Sequence, residues 1–364
     1  MNPPKMLYLM HVHWNWIKQR PHFLFEEMTK HYSVDLYYVN RVFHKNKINN
    51  ERKGYNEYTV NELYKLPYSS RSNGIRFLEK SINSRSFSGI KEYNYIWITS
   101  PVIMQLIPDG FLDNKIVIYD CMDNFMAFDI NKENYHVNIK YEIDLIMKSS
   151  VVLVSSNFLK QVLINSYGQY LRSEPIVINN GISNIFINQN IMNLPDTHDH
   201  SFLNIMYIGT VARWVDINLI MRLLDRFANI IITLVGPIEL NIPTHERLVV
   251  IGPVEHHLLP EYAKKADAFI MPFILNDLIL SVNPVKIYEY LSFYKPVISI
   301  KYDEMNQFEN FIHLYSTDEE LFGIINNIES QIIDEKKRIE IRRFLEMNTW
   351  EKRSQIIKGI FDSI

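Results

Sequence analysis

The sequence predicts an α/β protein made of two halves, each built on a mainly parallel sheet. Three observations carry that expectation. Short apolar runs rich in β-branched residues alternate with helical patterns along the 364-residue chain, as in successive βα units whose sheet is covered on both faces. The alternation lapses over 187–201, where NQN, Asn193, Pro195 and HDHS stand, and then it restarts. The length suits two domains of ordinary size.

The first half opens on a buried strand over 6–12, a helix over 21–30 and a strand over 34–39. Strands over 95–99, 116–119, 151–155 and 176–178 continue the series, with helices over 135–148 and 157–167 between them. In the second half a strand over 204–208 precedes a helix over 216–227, whose Ile217, Ile220, Met221 and Leu224 share one side. Strands over 230–235 and 248–251 each run into a Gly-Pro pair, Gly236-Pro237 and Gly252-Pro253. A helix over 258–266, a strand over 268–271, a helix opening within 281–297 and a strand over 296–300 follow, and from 318 the pattern is helical to the end. The expected divisions are 1–186, a linker over 187–201, and a second domain over 202–344. Ligands of open α/β sheets bind at the carboxyl ends of the strands, so two facing halves would hold a site in the cleft between them.

Composition narrows the function classes. The chain is 47% hydrophobic and 22% charged, with a net charge of -3, which argues against a general nucleic-acid binder. Its single cysteine, Cys121, excludes an intrachain disulfide and cysteine-rich zinc sites. The start, MNPPKMLYLMHVHW, has too short an apolar run for a signal peptide, and no run approaches the roughly 18 apolar residues of a membrane span. A cytoplasmic protein is expected.

The most informative stretch is SVNPVKIYEYLSFYKPV, 281–297. Asn283 suits an N-cap and Pro284 the first helical position, with Val285 the first apolar position of the turn. Lys286 and Glu289 then share a face one turn in. A helix start with a lysine suits an anion such as phosphate, and Glu289 could accept two hydrogen bonds from a sugar diol. The same spacing also fits an ordinary i, i+3 ion pair on a surface helix.

Read in order, these segments resemble a known family. YIGTVARWVD (207–216), LVGP (234–237), VIGPVEHHLLPEYAKKADAFIMPF (250–273) and the 281–297 stretch resemble the donor-binding domain of GT-B glycosyltransferases. The nearest likeness is to bacterial surface-polysaccharide transferases of the teichuronic-acid type, with some likeness to glucuronosyltransferases. HWNWIKQRPHFLFEEM (13–28) and IVIYDCMDNFMAF (116–128) extend it to the first half, and NTW (348–350) resembles the end motif. The resemblance implies two Rossmann-like domains facing across a cleft, with the terminal helix, 345–364, crossing back to the first. It implies transfer of a sugar from a nucleotide-sugar, UDP-linked, to a hydroxyl of a lipid-linked or growing surface glycan. One departure stands out. Many retaining relatives carry two glutamates eight positions apart; Glu289 matches the second, and Ser281 stands at the first.

Candidate roles follow. Gly209 and Thr210 close a strand where a diphosphate could approach the backbone, and Arg213 could pair with phosphate. The resemblance implies that the backbone at Gly252, Pro253 and Val254 reads the nucleotide base. Asp216 reads best as the N-cap of the following helix. No Asp-x-Asp motif suits a catalytic Mg²⁺, so neither metal nor cofactor is expected, and Lys286 with Arg213 would meet the charge of the leaving diphosphate. Asp123, after the 116–119 strand, is the candidate general base; Asp120 is its rival and His13 a second candidate. His13, Trp14 and Arg20 are the candidate acceptor contacts, with buried Trp an equally good reading of Trp14. Residues 41–91 carry eleven Lys/Arg against four Glu, interleaved with aromatics, which suits the anionic inner face of a membrane as well as a solvated loop. A GT-B epimerase and an inactive binding subunit remain the competing readings.

Overall fold

The structure, a computed structural model, describes residues 3–42, 60–87, 92–128, 135–187, 202–328 and 333–364. The chain divides into two compact units, 1–179 with 354–364, and 180–353. Segment 180–186 therefore belongs with the second unit, and the terminal segment joins the first from 354, where the sequence pointed to 187 and 345. The expected linker lies outside the described residues except for Ile187.

In the first unit β1 (Lys5–Met10), β2 (Ser33–Arg41), β3 (Val60–Lys65), β4 (Tyr95–Ile98), β5 (Ile116–Cys121), β6 (Val151–Val154) and β7 (Ile176–Val177) form one sheet in the order β3-β2-β1-β4-β5-β6-β7. Every pairing is parallel. The strand order reverses beside β1, the place where doubly wound sheets hold ligands. β1 is buried on both faces from Met6 to Met10, which explains its continuous apolar run. Helices α1 (Arg20–Met28), α2 (Asn73–Ser84), α3 (Tyr135–Lys148) and α4 (Asn157–Tyr167) form most of its helical layers.

In the second unit β8 (Leu203–Ile208), β9 (Ile230–Val235), β10 (Leu248–Gly252), β11 (Ala268–Met271), β12 (Val297–Ile300) and β13 (His313–Tyr315) run in the order β10-β9-β8-β11-β12-β13. The reversal here lies beside β8. Helix α5 (Ile217–Arg226) buries Leu219, Ile220, Leu223 and Leu224, and Asp216 caps it by accepting from Leu219 N at 2.8 Å, as its sequence position indicated. Helices α6 (Val285–Leu291), α7 (Asp318–Asn326), α8 (Glu335–Met347) and α9 (Trp350–Phe361) follow. The NTW segment is pinned within this unit: Ile182 N donates to Asn348 O at 2.9 Å and Trp350 N to Ile182 O at 3.2 Å. The far end of α9 belongs to the first unit, where Phe361 stacks on Tyr95 at 5.6 Å.

Strands β3 and β13 and helix α2 had no counterpart in the sequence reading. β3 is an edge strand with one fully buried residue, Leu63, and β13 has three residues. Neither presents the apolar run that marks a central strand. α2 carries an apolar pattern that does not face the core, as described below.

Candidate functional site

In the second unit, three glycines meet at the carboxyl ends of β8, β9 and β10. Gly209 N donates to Val235 O at 2.8 Å, and Gly236 N to Gly252 O at 2.7 Å. A Cβ on Gly236 would stand 2.1 Å from Gly209 O, and one on Gly209 would meet the Tyr207 hydroxyl at 2.7 Å. Backbone packs on backbone here, and only glycine permits it. Gly236 and Gly252 also have φ of +139° and +77°. Thr210 follows half-buried, its carbonyl accepting the Tyr207 hydroxyl at 3.0 Å. Arg213 is exposed in the turn before Val215. Beyond Gly252, Pro253 is exposed and Val254 packs against the core.

Helix α6 is bound to this edge by Tyr290. Its buried hydroxyl accepts from Ile208 N at 2.7 Å and donates to Ile208 O at 3.1 Å, immediately before Gly209. On the same helix Glu289 Oε2 pairs with Lys286 Nζ at 2.7 Å, and Oε1 meets His256 Nε2 at 3.1 Å. Glu289 is buried, and Lys286 keeps a quarter of its side chain exposed. Burial alone would raise the Glu289 carboxyl, but Lys286 and His256 outweigh it and hold the group at about 2. The carboxylate is therefore ionised throughout the neutral range, with its stem fixed and its cation partner partly open.

The start of this helix differs from the sequence expectation. Pro284, not Asn283, occupies the N-cap, with no side-chain cap. Val285 opens the helix, which spans seven residues. Asn283 turns inward: Asn180 N donates to its Oδ1 at 3.0 Å, and its own carbonyl accepts Asn180 Nδ2. Its Nδ2 is buried with no hydrogen-bond partner among the described residues, a condition costing about 1–3 kcal/mol that a ligand acceptor or water would relieve. Ser281 is fully buried, and its hydroxyl donates to Leu278 O at 2.6 Å. The position that holds glutamate in many retaining transferases is thus a helix-closing serine turned to its own backbone.

In the first unit the acidic pair at the end of β5 divides its roles. Asp120 is fully buried and salt-bridged to Arg20, with Nη2 to Oδ1 at 2.8 Å and Nε to Oδ1 at 3.0 Å. Arg20 is buried too, and its Nη1 donates to Ile178 O at 2.7 Å. Arg20, expected as an acceptor contact, is thus buried and joins β5 to the Ile178 backbone. Asp123 lies two residues past the strand, half-buried. Desolvation pushes its carboxyl up to about 6, with Arg20 opposing and Asp120 assisting. A carboxyl poised near neutrality has the protonation range of a general base.

The remaining acceptor candidates separate. Trp14 is buried, edge-on to Phe25 at 5.6 Å, so the packing reading applies and no ring face is offered to a sugar. His13 is half-buried three residues past β1, with Nδ1 accepting from Asn15 N at 3.1 Å and its ring against Tyr38 at 4.7 Å. Nearby, His11 Nδ1 lies 2.7 Å from Thr99 Oγ1, and burial lowers its pKa to about 4, so it is neutral at pH 7. Sequence reasoning missed His256, Gly236 as a contact point, and Tyr290. The Gly-Pro repeat at 236–237 and 252–253 was the available signal for Gly236, and the histidine doublet after Gly252 the signal for His256.

No family model matches the sequence, and no curated protein matches it. Solved structures do match across nearly the whole chain. Sucrose-phosphate synthase from Thermosynechococcus elongatus is 13% identical with a TM-score of 0.70, covering 99% of this chain and 98% of that one. HepE from Anabaena, solved with UDP and glucose, is 15% identical with a TM-score of 0.66, covering 99% and 100%. The lipopolysaccharide outer core galactosyltransferase WaaB is 13% identical with a TM-score of 0.61, covering 99% and 100%. The chain has the GT-B fold.

Proposed function

We propose that this chain is a glycosyltransferase moving a sugar from a UDP-sugar to a hydroxyl of a lipid-linked or growing cell-surface polysaccharide, without a metal ion. The observation that carries the reading is the Lys286–Glu289–His256 network, tied through Tyr290 to the Gly209–Gly236 contact at the carboxyl edge of a doubly wound sheet. The complex of HepE with UDP and glucose, on the same fold, supports a nucleotide-sugar as ligand.

In this reading the glycine turns let a diphosphate reach the backbone, and Lys286 and Arg213 meet its charge. Ionised Glu289 accepts from two ribose hydroxyls. The backbone at Gly252–Val254 faces the base edge. Asp123 takes the acceptor hydroxyl's proton as that oxygen bonds to the anomeric carbon, and the bond from that carbon to the diphosphate oxygen breaks. The diphosphate leaves with the electron pair, an inverting single displacement. His13 remains an acceptor contact. The basic segment 41–91, of which 43–59 and 88–91 lie outside the described residues, would rest on the inner face of the plasma membrane. Among the described residues, no helix is long and apolar enough to cross a membrane.

The test is a thermal-shift screen with UDP, UDP-sugars and other nucleotides. A ligand at a hundred times its Kd stabilises the native state by about 2.7 kcal/mol. UDP or a UDP-sugar is expected to raise Tm more than ADP or GDP; no shift with any nucleotide overturns the reading.

A further inference from the structure

Helix α2 is built inside out. Ile75, Leu78 and Ile82, with Phe77, follow the three-and-four spacing that ordinarily marks a core-facing stripe. Here Phe77 is 78% exposed, Leu78 53% and Ile82 40%, while Glu79 and Asn83 are 0% exposed. The buried polar side is fully engaged. Glu79 accepts from Leu66 N at 2.6 Å and from Gln105 Nε2 at 2.7 Å. Asn83 accepts from Tyr64 N at 2.9 Å and donates to Tyr64 O at 3.0 Å, docking the helix on the edge strand β3. Those bonds fix the helix rotation; turning the stripe inward would take these partners from Leu66 N, Gln105 Nε2 and the Tyr64 backbone.

The connection before the helix repeats the theme. Tyr68 is 72% exposed and has φ of +60°, a left-handed conformation unusual for a bulky residue. It is held by Arg71 N and Ser72 N donating to its carbonyl at 2.9 and 3.0 Å, and by the Arg76 guanidinium on the carbonyls of Ser69 and Ser70. A constrained turn thus projects an aromatic ring into solvent. Residues 66–87 contain Arg71, Arg76, Lys80 and Arg85, and one acidic residue, the buried Glu79. The outward surface of this element is apolar, aromatic and net positive, with Lys80 Nζ paired at 2.5 Å to the exposed Asp109.

We propose that α2 and the Tyr68 turn form an interfacial docking element for an anionic lipid bilayer. Phe77, Leu78, Ile82 and Tyr68 enter the boundary between headgroups and acyl chains, and Arg85 and Arg71 meet the headgroup phosphates. The charge selects this partner: with Lys80 paired to the exposed Asp109, the rim keeps Arg71, Arg76 and Arg85 and a net positive charge, which complements a surface of uniform negative charge. The inference rests on the membrane-surface reading above and narrows it from a fifty-residue segment to one helix face.

The experiment is co-sedimentation of the full chain with vesicles of phosphatidylglycerol and phosphatidylcholine, and with phosphatidylcholine alone. The wild type is expected to bind the anionic vesicles, more weakly at high salt. Phe77→Ser/Leu78→Ser, at exposed positions, should lower the partition coefficient at least about tenfold, with unchanged circular dichroism and an unchanged thermal shift with UDP. Arg85→Glu should weaken binding to the anionic vesicles only. A wild type that ignores anionic vesicles overturns both the helix assignment and the membrane reading, and leaves the transfer reading to its nucleotide test. A wild type that binds while the double variant binds equally well overturns the helix assignment alone. A wild-type dimer that the double variant converts to monomer shows the face covered by a second copy, and also overturns it.

Discussion

Asp123, past the end of β5, and Glu289, on α6, are two carboxylates with restricted water contact, driven in opposite directions. Desolvation and the neighbouring Asp120 lift Asp123 to about 6, against Arg20. Lys286 and His256 overcome desolvation at Glu289 and hold it at about 2. The difference lies in what else is charged nearby. The cation next to Asp123 is already committed to Asp120, with both partners sealed from water. The cation next to Glu289 is committed to Glu289 itself and partly open to solvent. Environments that push two carboxyls apart separate their chemistry: one can exchange a proton near neutral pH, and the other stays charged.

The largest expected effect removes the exchangeable carboxyl. Asp123→Asn should cut transfer by about 10²–10⁴-fold, the usual contribution of a general base, while the thermal shift with UDP persists. The wild-type pH profile should agree. Because the folded-state pKa is raised, the group holds its proton below about 6, so kcat/KM should fall as pH drops through that value. Stability moves the other way: the protonated form is favoured by the fold, and its contribution is lost as pH rises from the ordinary 3.8 through about 6. Asp123→Asn should therefore be at least as stable as wild type at pH 8. Near-normal turnover in the variant removes Asp123 as the base.

Next in size is the sealed pair that shapes this field. Arg20→Ala leaves Asp120 charged and buried, which typically costs about 3–5 kcal/mol. Urea denaturation reads the loss directly. A cost below 1 kcal/mol would mean that water reaches Asp120 freely, and the distinction between sealed and open networks would fall.

These two regions were unequally legible in the sequence. The alternating runs located most strands of both sheets, because central parallel strands are buried on both faces and leave continuous apolar segments, as in β1. The edge strand β3 buries only Leu63 fully and was invisible for that reason. Asp123, Lys286 and Glu289 could be named because they lie at strand ends or at helical spacing. Their partners could not. His256 reaches Glu289 across 33 positions, Arg20 reaches Asp120 across 100, and Asn180 holds Asn283 across 103; no local period records such contacts. The same blindness explains Asn283, which has the side chain of an N-cap but is claimed by a distant backbone amide, leaving Pro284 at the cap. α2 was not read from the sequence at all; its periodicity is real, but its apolar side faces out.

The smallest effect tests the ligand-holding side of the comparison. A depression of Glu289 from 4.5 to about 2 corresponds to roughly 3 kcal/mol at most. Since the folded-state value is depressed, that contribution is fully present above about 4.5 and is lost as pH falls toward 2. Glu289→Gln keeps the shape and a hydrogen-bonding oxygen but removes the charge that Lys286 and His256 share. Stability at pH 7 should fall by about 1–3 kcal/mol, and the variant should lose the wild type's extra sensitivity to acid between pH 4.5 and 2. If Glu289 holds the ribose diol, the thermal shift with UDP should also shrink, by more than with Lys286→Met, because the carboxylate accepts two hydrogen bonds and the lysine meets one charge. A variant with reduced stability and an undiminished UDP shift would make the network a structural anchor of α6, with the nucleotide held elsewhere along the glycine edge.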